Sequence, residues 1–154
     1  MTLEQKTEAA LAFLQSHRSG VLATLSPEGA PHARLLYFSA DKDFNIHFLT
    51  LSTTRKVKDI ETDPRAAFVV AAEDVPQTLQ IQGVLEDRTD TAVNDPIVNH
   101  LFDNLKSNTT YFAPLTRFDP GKVFFYRLKP TSVRWGDFTH GHSTDEVFTE
   151  LHKA

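Results

Sequence analysis

The sequence predicts a mainly β, α+β fold: a small antiparallel barrel of six or seven strands with helices at its periphery. Short β-rich runs recur along the chain and are separated by turn-forming residues. The stretches with helical periodicity are too few and too short to supply the crossovers of a parallel sheet. A length of 154 residues suits one domain, expected here to span 1–154, because independently folded units usually take roughly 100 to 200 residues.

Thr2 followed by Gln5 reads as a capping box, and Leu3, Ala10, Leu11 and Leu14 recur at helical spacing, so an N-terminal helix is expected within 1–17. Gly20 opens VLATLS, Pro27-Glu28-Gly29 breaks it, and PHARLLYFS follows, which together spell a hairpin. Asp41-Lys42-Asp43 turns into a third strand in which Phe44, Ile46 and Phe48 alternate with Asn45, His47 and Leu49. Three strands in succession predict a meander.

The period then changes. Ser52-Thr53-Thr54 supplies cap residues, Val57 and Ile60 mark one helical face, and Asp63-Pro64 ends the helix. RAAFVVAA is apolar at every second position on both faces, the pattern of a buried central strand. TLQIQGVLED resumes alternation, with Gly83 marking a bulge or a close backbone approach. Asp95-Pro96 caps a helix carrying Ile97, Leu101 and Leu105. KVFFYRLKP and TSVRWGDF read as the last strands, and Ser143 with Glu146 as a capping box for a tail helix over 143–153.

Composition excludes several functions. Zero cysteine removes disulfides, thiolate metal sites and cysteine nucleophiles, so redox chemistry would need a cofactor. A net charge of -4 offers no field for a polyanion, which argues against nucleic acid. The first residues lack the layout of a signal peptide and no apolar run reaches the ~18 residues of a membrane span, so a cytoplasmic location is expected. His140-Gly-His142 is two ligands without a third and predicts no metal site. The glycines form no Rossmann or Walker pattern, and no Ser sits in a nucleophile elbow.

One local anomaly points to a ligand. Arg55 and Lys56 enter a helix at its N-terminal end, where the helix dipole disfavours cations unless an anion is bound. Hydroxyls, free amides and two cations at one helix start suit a phosphate, each charge-assisted bond contributing about 1.5 to 3 kcal/mol. The plain alternative is a solvated basic turn. Arg34 is a second candidate, a charge in mid-strand that needs a ligand, a partner or an outward-facing salt bridge. Trp135, the single Trp, fits either core or ligand stacking.

The order of these pieces resembles the pyridoxamine 5'-phosphate oxidase-like, FMN-binding split-barrel family, in particular its short general-stress-protein branch. The resemblance rests on the hairpin with Arg34-Leu-Leu-Tyr37, the strand Phe48-Leu-Thr50, and Ser52 to Lys56 opening a helix that ends at Asp63-Pro64-Arg65. It implies a split barrel that forms a homodimer, with FMN in the groove between subunits. Arg34, Leu35 and Leu36 would lie along the flavin ring, Leu49 and Thr50 at its edge, and Ser52, Arg55 and Lys56 on the phosphate. Gln82 would reach the cofactor, and Trp135 would cover the flavin from the partner subunit.

The family's oxidases hold their substrate with a C-terminal segment rich in Arg and His. RWGDFTHGHSTDEVF lacks that pattern, which speaks against a vitamin B6 substrate. The expectation is therefore an FMN-binding oxidoreductase-like protein acting on an unknown small molecule. Its alternatives are a non-catalytic flavin- or haem-binding stress module and a deazaflavin-dependent reductase. No catalytic acid or base is assigned.

Overall fold

The computed structural model describes residues 1–107, 123–139 and 141–153. His140 lies outside them. Eight strands form one antiparallel sheet: β1 Ser19–Leu25, β2 Pro31–Tyr37, β3 Ser39–Ala40, β4 Ile46–Leu51, β5 Arg65–Ala71, β6 Gln77–Asp87, β7 Val123–Asp137 and β8 Phe148–Lys153. Their order is β2-β1-β5-β6-β7-β4-β3, with β8 on β7. Among the described residues no ladder joins β2 to β3 or β4, although only Phe38 separates β2 from β3. The sheet is thus a curled barrel left open along one seam.

Two strand expectations need correction. The β1–β2 hairpin forms, with Ala23 opposite Ala33, but β4 does not extend it into a meander. It crosses the barrel and pairs with β7, from Ile46 opposite Leu128 to Leu51 opposite Val123. KVFFYRLKP and TSVRWGDF are one continuous strand, not two. Pro130 would break a regular ladder because it has no N–H to donate, but it sits opposite Gly83 at the register shift beside Gln82. That bulge absorbs it. Gly83 is required there, since a Cβ would stand 2.2 Å from the Lys129 carbonyl oxygen.

The core fills the inside of the curl. Phe38, Phe48 and Phe68 are buried with Leu22, Ile46 and Leu128, each contributing on the order of 2 kcal/mol by burial. Helix α1 (Leu3–Gln15), started by the Thr2–Gln5 capping box, closes one end with Ala10, Phe13 and Leu14. Helix α2 (Arg55–Thr62) adds Val57 and Ile60. Helix α3 (Pro96–Ser107), whose Ile97 N–H is held by Asp95, covers the other face of β4 and β7. There Leu49, Val98, Leu101 and Phe125 make a second cluster.

β5 is central in the sheet yet buried on one face alone. Phe68 and Val70 point into the core while Ala67 and Ala71 are exposed, because among the described residues no second layer covers the outer face of β1 and β5. The expected tail helix over 143–153 is also corrected. Ser143 caps a single turn, α4 (Thr144–Val147), and Phe148–Lys153 is a strand on the free edge of β7. The ladder with Ser132 to Gly136 supplies backbone partners that the short helix could not.

Candidate anion site at the start of helix α2

β2 alternates so that His32, Arg34 and Leu36 face inward and Ala33 and Leu35 face out, Leu35 being 62% exposed. Arg34 stands opposite Leu22, and its Nη1 donates to Thr24 Oγ1 at 2.7 Å and to the Leu22 carbonyl at 3.3 Å. These partners are neutral. The one carboxylate near it, Asp59, is 3.5 Å from Nη2, long for an ion pair of this type. Burial lowers the Arg34 pKa most, the charge of Asp59 opposes it, and the Arg55 charge adds to the lowering.

Lys56 repeats the arrangement. Its Nζ donates to Thr50 Oγ1 at 2.8 Å, and among the described residues no carboxylate lies within ion-pair reach. Burial, and then the charge of Arg34, pulls its pKa down to about 8. Three cations are therefore crowded at the start of α2, two of them held in place by hydroxyls that orient without neutralising. Thr54 occupies the N-cap position but turns its hydroxyl toward Thr50 and the Leu51 carbonyl, so it does not cap the helix. The first turn contains no acidic residue. Positive charge and uncapped amides face one another, and a tetrahedral dianion satisfies both.

Asp59 belongs to no recognisable sequence motif. It is 1% exposed and its Oδ2 accepts from His32 Nδ1 at 2.7 Å and from Thr24 at 2.8 Å, while Oδ1 has no partner among the described residues. Burial alone raises its pKa, but the hydrogen bonds from His32 and Thr24 and the charges of His32 and Arg34 outweigh burial and hold the carboxyl below its usual range. A signal existed: Asp59 falls between Val57 and Ile60 on the buried stripe of α2, and His32 shares the inward face of Arg34.

The other expected positions divide. Ser52 is half-buried on the turn before α2, and Arg55 is exposed in its first turn. Leu36 packs on the core, and Leu49 is buried in the cluster under α3. Gln82 and Leu35 both lie on the outer face, three strands apart. Gln82 lines a cavity of about 450 Å³ there, with Ala23, Ala67, Val84 and Thr131. Trp135 is 2% exposed, with its ring 5.2 Å from Phe13 in edge contact, which secures α1 to the sheet.

No group of three or more metal-ligating side chains occurs among the described residues, and no helix there is long and apolar enough to cross a membrane.

The sequence profile described as pyridoxamine 5'-phosphate oxidase matches residues 7–134. A pyridoxine/pyridoxamine 5'-phosphate oxidase of Bordetella pertussis is 30% identical over 79 residues, which cover 51% of this chain and 38% of the relative. The match thus spans well under half the length of that enzyme. General Stress Protein 26 of Bacillus anthracis has a similar fold, with a TM-score of 0.65 at 20% identity over 97% of this chain and 98% of that one. A FAD-binding protein of Mesorhizobium loti gives a TM-score of 0.65 at 17% identity, covering 82% of this chain and 88% of that one.

Proposed function

Because this chain belongs to the pyridoxamine 5'-phosphate oxidase family, we propose that it is an FMN-binding, oxidoreductase-like protein and that the start of α2 holds the FMN phosphate. One observation carries the reading: Arg34 and Lys56 are oriented by Thr24 and Thr50 and keep their charge for a ligand. Ser52, Arg55 and Lys56 bind the phosphate; Arg34, expected along the flavin ring, lies close enough to Lys56 for its charge to depress the lysine, and we place it on the phosphate from β2 instead. The residues present fit the group, since uncapped amides and three cations, of which Arg34 has a distant carboxylate partner in Asp59, converge where a dianion is needed.

Bound flavin supplies hydride or electron transfer, and the chain supplies position and electrostatics. Leu35 and Gln82, with Leu36, Leu49 and Thr50, are the positions proposed for the isoalloxazine side. Leu35 and Gln82 lie on a face that the described residues leave uncovered, so we place a second copy there, with the cofactor between subunits. The short match to the B. pertussis oxidase and the C-terminal departure both argue against assigning that enzyme's substrate.

The test is spectroscopic. Purified protein, as isolated or after adding FMN and removing the excess, should show a flavin absorption band. Replacing Arg55 and Lys56 together by Ala should weaken FMN at least about a hundredfold more than riboflavin, two charge-assisted bonds being lost. A protein that fails to take up FMN, or equal losses for the two ligands, refutes the reading.

A further inference from the structure

The geometry points to Asp59 as a positioning residue that orients Arg34 toward the phosphate by way of the Thr24 hydroxyl. This rests on the FMN-phosphate reading above and adds to it a residue that does not touch the ligand. The chain of atoms is short. Arg34 Nη1 donates to Thr24 Oγ1 at 2.7 Å, and Thr24 Oγ1 donates to Asp59 Oδ2 at 2.8 Å. A hydroxyl has one proton. With that proton committed to the carboxylate, its lone pairs are left facing Arg34, which fixes the guanidinium in one rotamer.

The direct Arg34–Asp59 distance of 3.5 Å matters as much as the relay. A closer, bidentate pair would consume the charge that the phosphate requires. His32 keeps that from happening, because its Nδ1 occupies the same Oδ2 at 2.7 Å and gives the carboxylate a nearer partner. Asp59 comes from α2, Thr24 from β1, and His32 and Arg34 from β2. One buried carboxylate thus sets the gap between the arginine on the sheet and Arg55 and Lys56 on the helix. A purely structural carboxylate would have its second oxygen satisfied, yet Oδ1 is buried without a partner among the described residues. Breaking that rule is tolerated most often beside functional sites.

The experiment is a binding cycle with FMN and riboflavin on the full chain: wild type, Asp59→Asn, Arg34→Gln and the double variant, each checked for folding by circular dichroism. Asp59→Asn should weaken FMN about tenfold, leave riboflavin within about twofold, and have no further effect once Arg34 is Gln. Thr24→Val, nearly isosteric, should reproduce the loss and serves if the Asn variant does not fold. Equal weakening of riboflavin, or a loss that persists in the Arg34→Gln background, overturns the role of Asp59 alone. Wild-type protein that binds no FMN overturns this and the functional reading together.

Discussion

Lys56 Nζ and Thr50 Oγ1 are 2.8 Å apart, the lysine drawn to a hydroxyl in a place where burial and the charge of Arg34 depress its pKa to about 8. This gives the site a pH dependence whose sign can be worked out. A dianion prefers the protonated lysine, so affinity is full below pH 8 and declines above it. FMN affinity should drop by up to about tenfold per pH unit beyond pH 8, and Lys56→Met should flatten the profile. Tyr126, pushed up to about 12 by burial and by Asp87 and Glu61, does not titrate in that range. Without ligand the sign reverses. The folded chain penalises the cation, so this group adds stability as pH rises from about 8 toward the ordinary lysine value of 10.5. Flavin fluorescence titrations and urea melts at pH 7 to 10 check both, and a pH-independent FMN affinity refutes the placement of Lys56.

The bulge supplies a stability prediction. A methyl at Gly83 would press on the Lys129 backbone, which cannot rotate away as a side chain would. Gly83→Ala should cost about 1 to 3 kcal/mol through overpacking. Gly29 is the control, with φ at +83° in the β1–β2 turn and nothing within 4 Å of an added methyl. Gly29→Ala should cost about 1 kcal/mol from the left-handed backbone alone. Urea midpoints at constant slope decide between them, and a neutral Gly83→Ala would mean that β6 and β7 are farther apart at Pro130.

What could be read from the chain follows the range of the forces. Caps, turns and alternation are local, so Thr2 with Gln5, the β1–β2 hairpin and the Gly83 bulge were all visible. Partnering between strands is not local. Nothing near Ile46 says that Leu128, more than eighty residues on, is its partner, and nothing near Phe148 says that the edge of β7 is free to receive it. The same division runs through the site. Arg55 and Lys56 break a rule written in their own helix, whereas Asp59 acquires meaning from Thr24 and His32 across the fold.

Trp135 separates core from cofactor. Its burial against Phe13 predicts that Trp135→Ala costs about 3 to 5 kcal/mol, the range for deleting a large buried aromatic. Trp135→Phe, which keeps a ring in place, should leave FMN affinity within about twofold because the residue shares no partner with the phosphate site. Chemical denaturation followed by circular dichroism measures the first, and flavin titration the second. A large loss of FMN affinity in a folded Trp135→Phe variant would place this residue at the cofactor.

The uncovered face of the sheet carries the last prediction. Leu35 stands opposite Val21, and Val21 opposite Val69; beside them Ala33, Ala23 and Ala67 form a second row across the same three strands. Leu35 is 62% exposed and Val84 38%. Small side chains in register make a flat apolar surface, and such a surface on an antiparallel sheet is stable when another face covers it. A homodimer through this face buries on the order of 800 Å² per copy and places Gln82 at the junction. Sedimentation equilibrium should therefore give twice the 17.3 kDa chain mass. Leu35→Asp should yield a folded monomer with weakened FMN binding, because a buried unpaired carboxylate is incompatible with the contact. A wild-type monomer at micromolar concentration would refute the homodimer, and a Leu35→Asp protein that still dimerises would place the second copy elsewhere; either takes Gln82 out of a shared flavin site.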